Sequence, residues 1–143
     1  MSGDARPPIP VPDDQSAGYW AAAADHVLAL ARCIHCGYIT HPPGVVCASC
    51  LHPKPGFEFA PVDGSGRIRS WTVMRDSFLP GFRDAVPFVL VDVELDVQPG
   101  LRLIGRLVDG PAAGIRLGDR VTAVFDDLAP GVSVPAFVLE RRA

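Results

Sequence analysis

All four cysteines of this 143-residue chain lie between positions 33 and 50, as two Cys-x-x-Cys pairs, Cys33 with Cys36 and Cys47 with Cys50. Each pair lets two thiolates face one ion from a single tight turn, and two such turns complete a tetrahedron of soft ligands, the arrangement that suits zinc. Gly37 follows the first pair, where the backbone often needs a positive φ to leave the turn. Four thiolates saturate zinc and leave no open position for water, so the site is expected to be structural. Its binding energy then acts as folding energy, on the order of 10 kcal/mol, in a segment too short to bury a core of its own.

Competing uses of the cysteines fare worse. Disulfides need an oxidising compartment, and Met1-Ser2-Gly3-Asp4 opens no signal peptide. A cytoplasmic protein is expected. A thioredoxin-type site uses one Cys-x-x-Cys, whereas this chain has two. Iron held by the same four sulfurs is the chemical competitor, as an electron carrier. His35, His41 and His52 flank the cysteines; with the ligand set already full they are expected to be surface imidazoles.

The chain's formal charge of −3 argues against nucleic acid as its main partner, because phosphate neutralisation needs a basic face. No apolar run reaches the roughly 20 residues of a membrane helix. Of thirteen basic residues only Lys54 is lysine.

Three regions are expected along the chain: a proline-rich arm and helix in residues 1–26, a zinc ribbon in residues 27–56 and a β-barrel in residues 57–143. In the arm, Pro7-Pro8-Ile9-Pro10-Val11-Pro12 should be extended and, left alone, disordered. Asp13, Asp14 and Ser16 are candidate caps for an alanine-rich helix through Tyr19 and Trp20 to about residue 25. Residues 27–32 should form a strand entering the first cysteine turn.

Strands are expected at residues 67–75, 86–95, 101–108, 120–125 and 132–139, punctuated by glycine and proline with no helix between them. Val89, Val91, Val93 and Leu95 should share one face. Five short strands point to a closed barrel, most simply an OB-fold, with an SH3-like barrel as the alternative. Gly105 is expected to mark a bend or bulge. The fold class is therefore mainly β: an N-terminal helix, a four-cysteine zinc ribbon and a five-stranded barrel.

From about residue 19 to residue 139 the chain resembles the domain-of-unknown-function thirty-five family, acyl-CoA-associated zinc-ribbon and OB-fold proteins. The resemblance rests on Tyr19-Trp20, on Arg32-Cys33-Ile34-His35-Cys36-Gly37, on Pro42-Pro43 and on Cys47-Ala48-Ser49-Cys50. Gly64-Ser65-Gly66-Arg67-Ile68, Val86-Pro87-Phe88-Val89 and the segment from Ile115 to Val121 extend it into the barrel. It implies a non-catalytic companion of a thiolase-superfamily enzyme (a thiolase, a lipid-transfer-type aldolase or an acyltransferase), assembled 2:2, with a barrel that helps hold an acyl-CoA. Trp20, Arg67, Arg69, Arg75, Phe82 and Arg83 are the candidate contacts to acyl-CoA or partner, since a guanidinium fork suits phosphate.

The residues agree from below. No nucleophile elbow, phosphate-binding glycine loop or recognisably spaced acid and base is present. Asp76, Asp84, Asp92, Glu94, Asp126 and Asp127 read as solvated charges. The competing class is a single-stranded nucleic-acid module, with Trp71, Phe78 and Phe82 stacking bases.

Overall fold

The computed structural model describes residues 6–140. The first residues of the arm and the Arg141-Arg142-Ala143 tail lie outside them. One helix, α1 (Ala17–Ala24), precedes eight strands: β1 (Ala29–Arg32), β2 (Ile39–Thr40), β3 (Glu58–Pro61), β4 (Ser65–Met74), β5 (Phe88–Leu95), β6 (Arg102–Leu107), β7 (Arg120–Ala129) and β8 (Val132–Leu139). Ser16 takes the N-cap position without a capping bond of its own. The Asp13 carboxylate instead accepts from the Ser16 N–H (2.8 Å), the Ser16 hydroxyl (2.7 Å) and the Gln15 N–H (3.1 Å), and these bonds, Ser16's side chain first, hold its pKa below the usual carboxylate range.

Strands β2, β1 and β3 form an antiparallel sheet in that order, with Leu30 opposite Ala60 and Ala31 opposite Thr40. The ribbon thus takes its third strand from beyond residue 56. The other five strands close as β4-β5-β6-β8-β7, every neighbouring pair antiparallel except β6 with β8. That order, with its one parallel contact between the third and fifth barrel strands, is the OB arrangement and decides it over the SH3-like alternative.

Alternation fills the barrel. Val89, Val91, Val93 and Leu95 all point inward, and Ile68, Val93 and Leu103 sit opposite one another across three strands. Tyr19, Leu28, Leu30 and Ile39 join the same apolar cluster, so helix, ribbon and barrel share one core. The Gly64-Ser65-Gly66 segment has a steric cause, because β4 pairs with β5 on one edge and with β7 on the other. A Cβ on Gly66 would run into the Glu94 carbonyl oxygen, and one on Gly64 into the Ala123 side chain.

Several expectations are corrected. Gly105 makes no bulge; it pairs regularly with Val91, and its missing side chain leaves room for the Phe137 ring, whose Cδ2 would stand 3.0 Å from a Cβ there. The register shifts fall instead between Ile68 and Ser70 and between Asp127 and Ala129. Strand β7 runs to Ala129, past the expected residue 125, because tertiary partners hold its two aspartates against their poor strand propensity. Arg106 clamps Asp126 through Nε (2.9 Å) and Nη2 (2.8 Å), and the Ser133 hydroxyl donates to Asp127 (2.6 Å). Asp92 is likewise bound by Arg102 at 2.6 Å, so these three are partnered charges, not simply solvated ones. Residues 6–12 form no regular element and all but Pro10 are exposed, yet they meet the rest of the molecule at two points: the backbone of Arg6 and Pro7 packs on Gly81, and Pro10 and Pro12 line a small crevice with Trp20.

Candidate metal centre

The two cysteine turns are built alike. Gly37 N–H donates to the Cys33 carbonyl and Leu51 N–H to the Cys47 carbonyl, each at 2.9 Å. Both residues leave their turns through the left-handed region, Gly37 at φ 76° as expected and Leu51 at φ 60°. A glycine adopts this conformation without cost, whereas Leu51 adopts it against its own Cβ, with its side chain mostly in water. Leu51→Gly should therefore raise the denaturation midpoint by roughly 0.5–1 kcal/mol of stability, read by chemical denaturation of the zinc-loaded protein.

The four sulfurs lie within 4.8 Å of one another, with Cys33 and Cys47 buried and Cys36 and Cys50 exposed. The Sγ atoms of Cys36 and Cys47 are 3.6 Å apart and those of Cys33 and Cys50 are 3.8 Å apart. A tetrahedral zinc with bonds of about 2.3 Å needs sulfur–sulfur edges of about 3.8 Å, so the cage already has the size of its ion. A disulfide would need about 2.0 Å. The Cys50 backbone N–H points at the Cys47 sulfur at 3.5 Å, and this bond leads the effects that hold the Cys47 thiol down at about 6. At Cys50 the His52 N–H favours the thiolate, but burial and the neighbouring sulfurs outweigh it and push the thiol up to about 11. The Cys50 thiol, so raised, does not ionise unaided near neutral pH; a divalent cation held by the four sulfurs would supply the charge that favours its thiolate. Among the described residues no other group of three or more such side chains is close enough to hold a metal.

The histidines stay out of this set. His35 and His52 stack with ring centroids 3.6 Å apart; Nε2 of His35 meets the Lys54 carbonyl at 2.8 Å, and Nδ1 of His52 accepts the Lys54 N–H at 3.0 Å. His41 departs from the expected surface position. It is half-buried against Tyr19, centroids 5.0 Å apart, and burial holds its pKa below 6.5. Burial likewise pushes Tyr19 up from 10.0 to about 12. The fold prefers both rings neutral. Tyr19's contribution to stability is thus complete below pH 10 and is lost as pH climbs towards 12, while His41's is present above 6.5 and is lost as pH falls below it. An ultraviolet tyrosinate titration should show one residue ionising near pH 12, coincident with loss of the helix–ribbon contact.

A single glutamine pins the ribbon to the barrel. In the β5–β6 turn, Gln98 Oε1 accepts the Ile39 N–H at 2.9 Å and Nε2 donates to the Ile39 carbonyl at 2.7 Å, as another strand would. In the sequence Gln98-Pro99-Gly100 marks only a turn, and nothing local signals this role. Gln98→Ala should cost about 1–3 kcal/mol, because it leaves two half-buried backbone groups unpaired. Amide exchange at Ile39 is the readout.

The ribbon geometry agrees with comparison to known proteins. A family model described as "ChsH2, rubredoxin-like zinc ribbon domain" matches residues 20–54, and one described as "ChsH2, C-terminal OB-fold domain" matches residues 60–126. The chain belongs to the ChsH2-type DUF35 family. Over 132 residues it is 30% identical to the "Probable enoyl-CoA hydratase alpha subunit" of Thermomonospora curvata, covering 91% of this chain and 39% of that protein. It is 30% identical over 94 residues to a DUF35 domain-containing scaffold protein of Methanocaldococcus jannaschii, covering 66% of this chain and 64% of that one. The chain thus spans less than two thirds of the length of either relative. A solved structure of an Ltp2-ChsH2(DUF35) aldolase superposes with a TM-score of 0.77 at 28% identity, over 91% of this chain and 98% of that one.

In this ChsH2-type chain the other candidate residues divide between sites. Arg67 and Arg69 stand on β4 beside acids: Arg69 lies 3.9 Å from Glu94, and Arg67 pairs in register with Glu94 and adds to the charge near Asp96. Arg75 is eight residues further along, roughly 25 Å at strand spacing, beside the β4–β5 loop that carries Phe82 and Arg83. Phe82 leans on Phe88 with centroids 6.1 Å apart. Trp20 meets Tyr19 edge-on at 4.7 Å and faces the arm. One phosphate group therefore cannot meet all four arginines.

Among the described residues His26, Asp127 and Ser133 form a cluster that looks like a hydrolase site, and its connectivity is wrong for that. The Ser133 hydroxyl and His26 Nε2 both reach the same Asp127 oxygen at 2.6 Å. The carboxylate stands between serine and imidazole, so the imidazole does not reach the hydroxyl and the Ser–His pair of a hydrolase is not formed. Ser133, then His26, hold the Asp127 pKa below its ordinary value. No helix among the described residues is long and apolar enough to cross a membrane.

Proposed function

We propose that the chain is a non-catalytic subunit that assembles with a thiolase-superfamily enzyme and helps hold its acyl-CoA substrate. The likeness to the ChsH2 chain of an Ltp2 aldolase, along 98% of that chain, carries the reading. The scaffold description of the Methanocaldococcus relative supports it, as does the commitment of the reactive side chains: four thiolates to a metal and Ser133 to a carboxylate. The zinc would be held by Cys33, Cys36, Cys47 and Cys50, and its role would be to fold the ribbon.

Of the two arginine groups, Arg75 and Arg83 fit CoA phosphates better. Neither forms an ion pair among the described residues, and Phe82 on the same loop offers an apolar neighbour, whereas Arg67 and Arg69 face carboxylates. Co-expression with a thiolase-like protein encoded beside this chain should yield a 2:2 complex by size-exclusion chromatography with light scattering. CoA titrated into that complex should release heat that falls when Arg75 and Arg83 are both replaced by alanine. Failure to form a complex, together with no CoA heat, would sink the reading.

A further inference from the structure

An OB barrel binds extended ligands across its second and third strands, between the loop joining strands one and two and the loop joining strands four and five. In this chain those loops are the β4–β5 loop, which contains Gly81, and the β7–β8 turn at Pro130-Gly131. The arm touches the first and shares a crevice with the second. The Pro7 backbone packs so tightly on Gly81, at φ 85°, that a Cβ there would collide with it. Three to five residues on, Pro10 and Pro12 form a crevice with Trp20, Gly131, Val132 and Ser133, and the space left open is about 40 Å³, little more than one water. At about 3.1 Å per residue, three to five residues of polyproline span roughly 9–16 Å.

We propose that this end of the barrel is a binding site for a proline-rich extended peptide, and that the chain fills it in cis with residues 6–12. The chemistry is that of proline recognition elsewhere: a stiff segment with little entropy to lose and few N–H donors to satisfy lies on an aromatic side chain. Four of the six residues from Pro7 to Pro12 are proline, and Trp20 is half-buried at the crevice. Arg6 and Asp13 close the segment with opposite charges. The site goes beyond the acyl-CoA reading and stands without it. It also gives the β4–β5 loop, with Phe82 and Arg83, a second support at Gly81.

The test uses the two tryptophans, Trp20 and Trp71. With Trp71→Phe as background, Trp20 reports alone. Deleting the chain through Pro12 should red-shift Trp20 emission and raise its quenching by acrylamide. A synthetic peptide of residues 6–13 should reverse both changes saturably in the truncated protein and leave the full chain unchanged. The same peptide with Pro10 and Pro12 replaced by alanine should bind about tenfold more weakly. Zinc content and circular dichroism report whether the truncated protein folds; if it does not, Gly81→Val in the full chain expels Pro7 and should shift Trp20 in the same direction. An unchanged Trp20 in the folded variant, no saturable reversal by millimolar peptide, or equal peptide binding by full and truncated chains would overturn the proposal.

Discussion

Replacing Cys47 with alanine is expected to unfold the ribbon and to lower the stability of the whole chain, not merely to weaken metal binding. Cys47 is fully buried, and its sulfur is 3.6 Å from that of Cys36 and accepts the Cys50 N–H. A three-thiolate remnant has lost the closed tetrahedron, and with it much of a binding energy on the order of 10 kcal/mol that the folding of this segment depends on. The damage spreads because Leu28, Leu30 and Ile39 belong to the same apolar cluster as the barrel valines. Zinc stoichiometry should fall below one per chain, and amide protection should vanish across β1, β2 and β3. Ser49→Ala, an exposed change between two ligands, should leave both intact.

Phe137→Ala should have the second-largest effect, a loss of about 3–5 kcal/mol. The ring is completely buried on β8 and lies over the glycine of β6, where Gly105 leaves its Cδ2 and Cε2 just enough room. Its removal opens a cavity at the one parallel contact of the barrel, Leu107 with Phe137, where the closure is narrowest. Gly105→Ala presses on the same ring from the other side and should cost about 1–3 kcal/mol. Thermal denaturation of the zinc-loaded proteins ranks the two.

Much of this architecture was legible in the sequence where the information is local. The spacing of the cysteines gives the cage directly, and the alternation from Val89 to Leu95 gives the inward face of β5. The family resemblance carried by Gly64-Ser65-Gly66 was legible too, although its cause, two edges of β4 approached at once, needed the pairing partners. What stayed hidden depends on residues far apart in the chain. Gln98 meets Ile39 across 59 positions, and Asp127 meets His26 across 101. Gly105 read as a bend because its partner ring is 32 positions away, and His41 read as exposed because nothing near it in sequence announces Tyr19 as its cover. The arm looked disordered for the same reason: a polyproline segment has no partner of its own, and Trp20 and Gly81 had to be brought to it by the fold.

The candidate site was legible only in its metal half. A run of arginines on β4 suggests one basic strip, but strand spacing and the carboxylates of Glu94 and Asp96 divide it into a neutralised end and a free end. Side-chain charge is visible in a sequence; the opposite charge across a strand is not.

Four thiolates and one metal ion, with no disulfide, fold the ribbon that Gln98 and the shared core join to the barrel. Native mass spectrometry of the freshly purified chain tests it most directly. The expected mass is that of the polypeptide plus one zinc ion in exchange for displaced protons; a metal-free mass, or one lowered by the hydrogens lost to two disulfides, would contradict it.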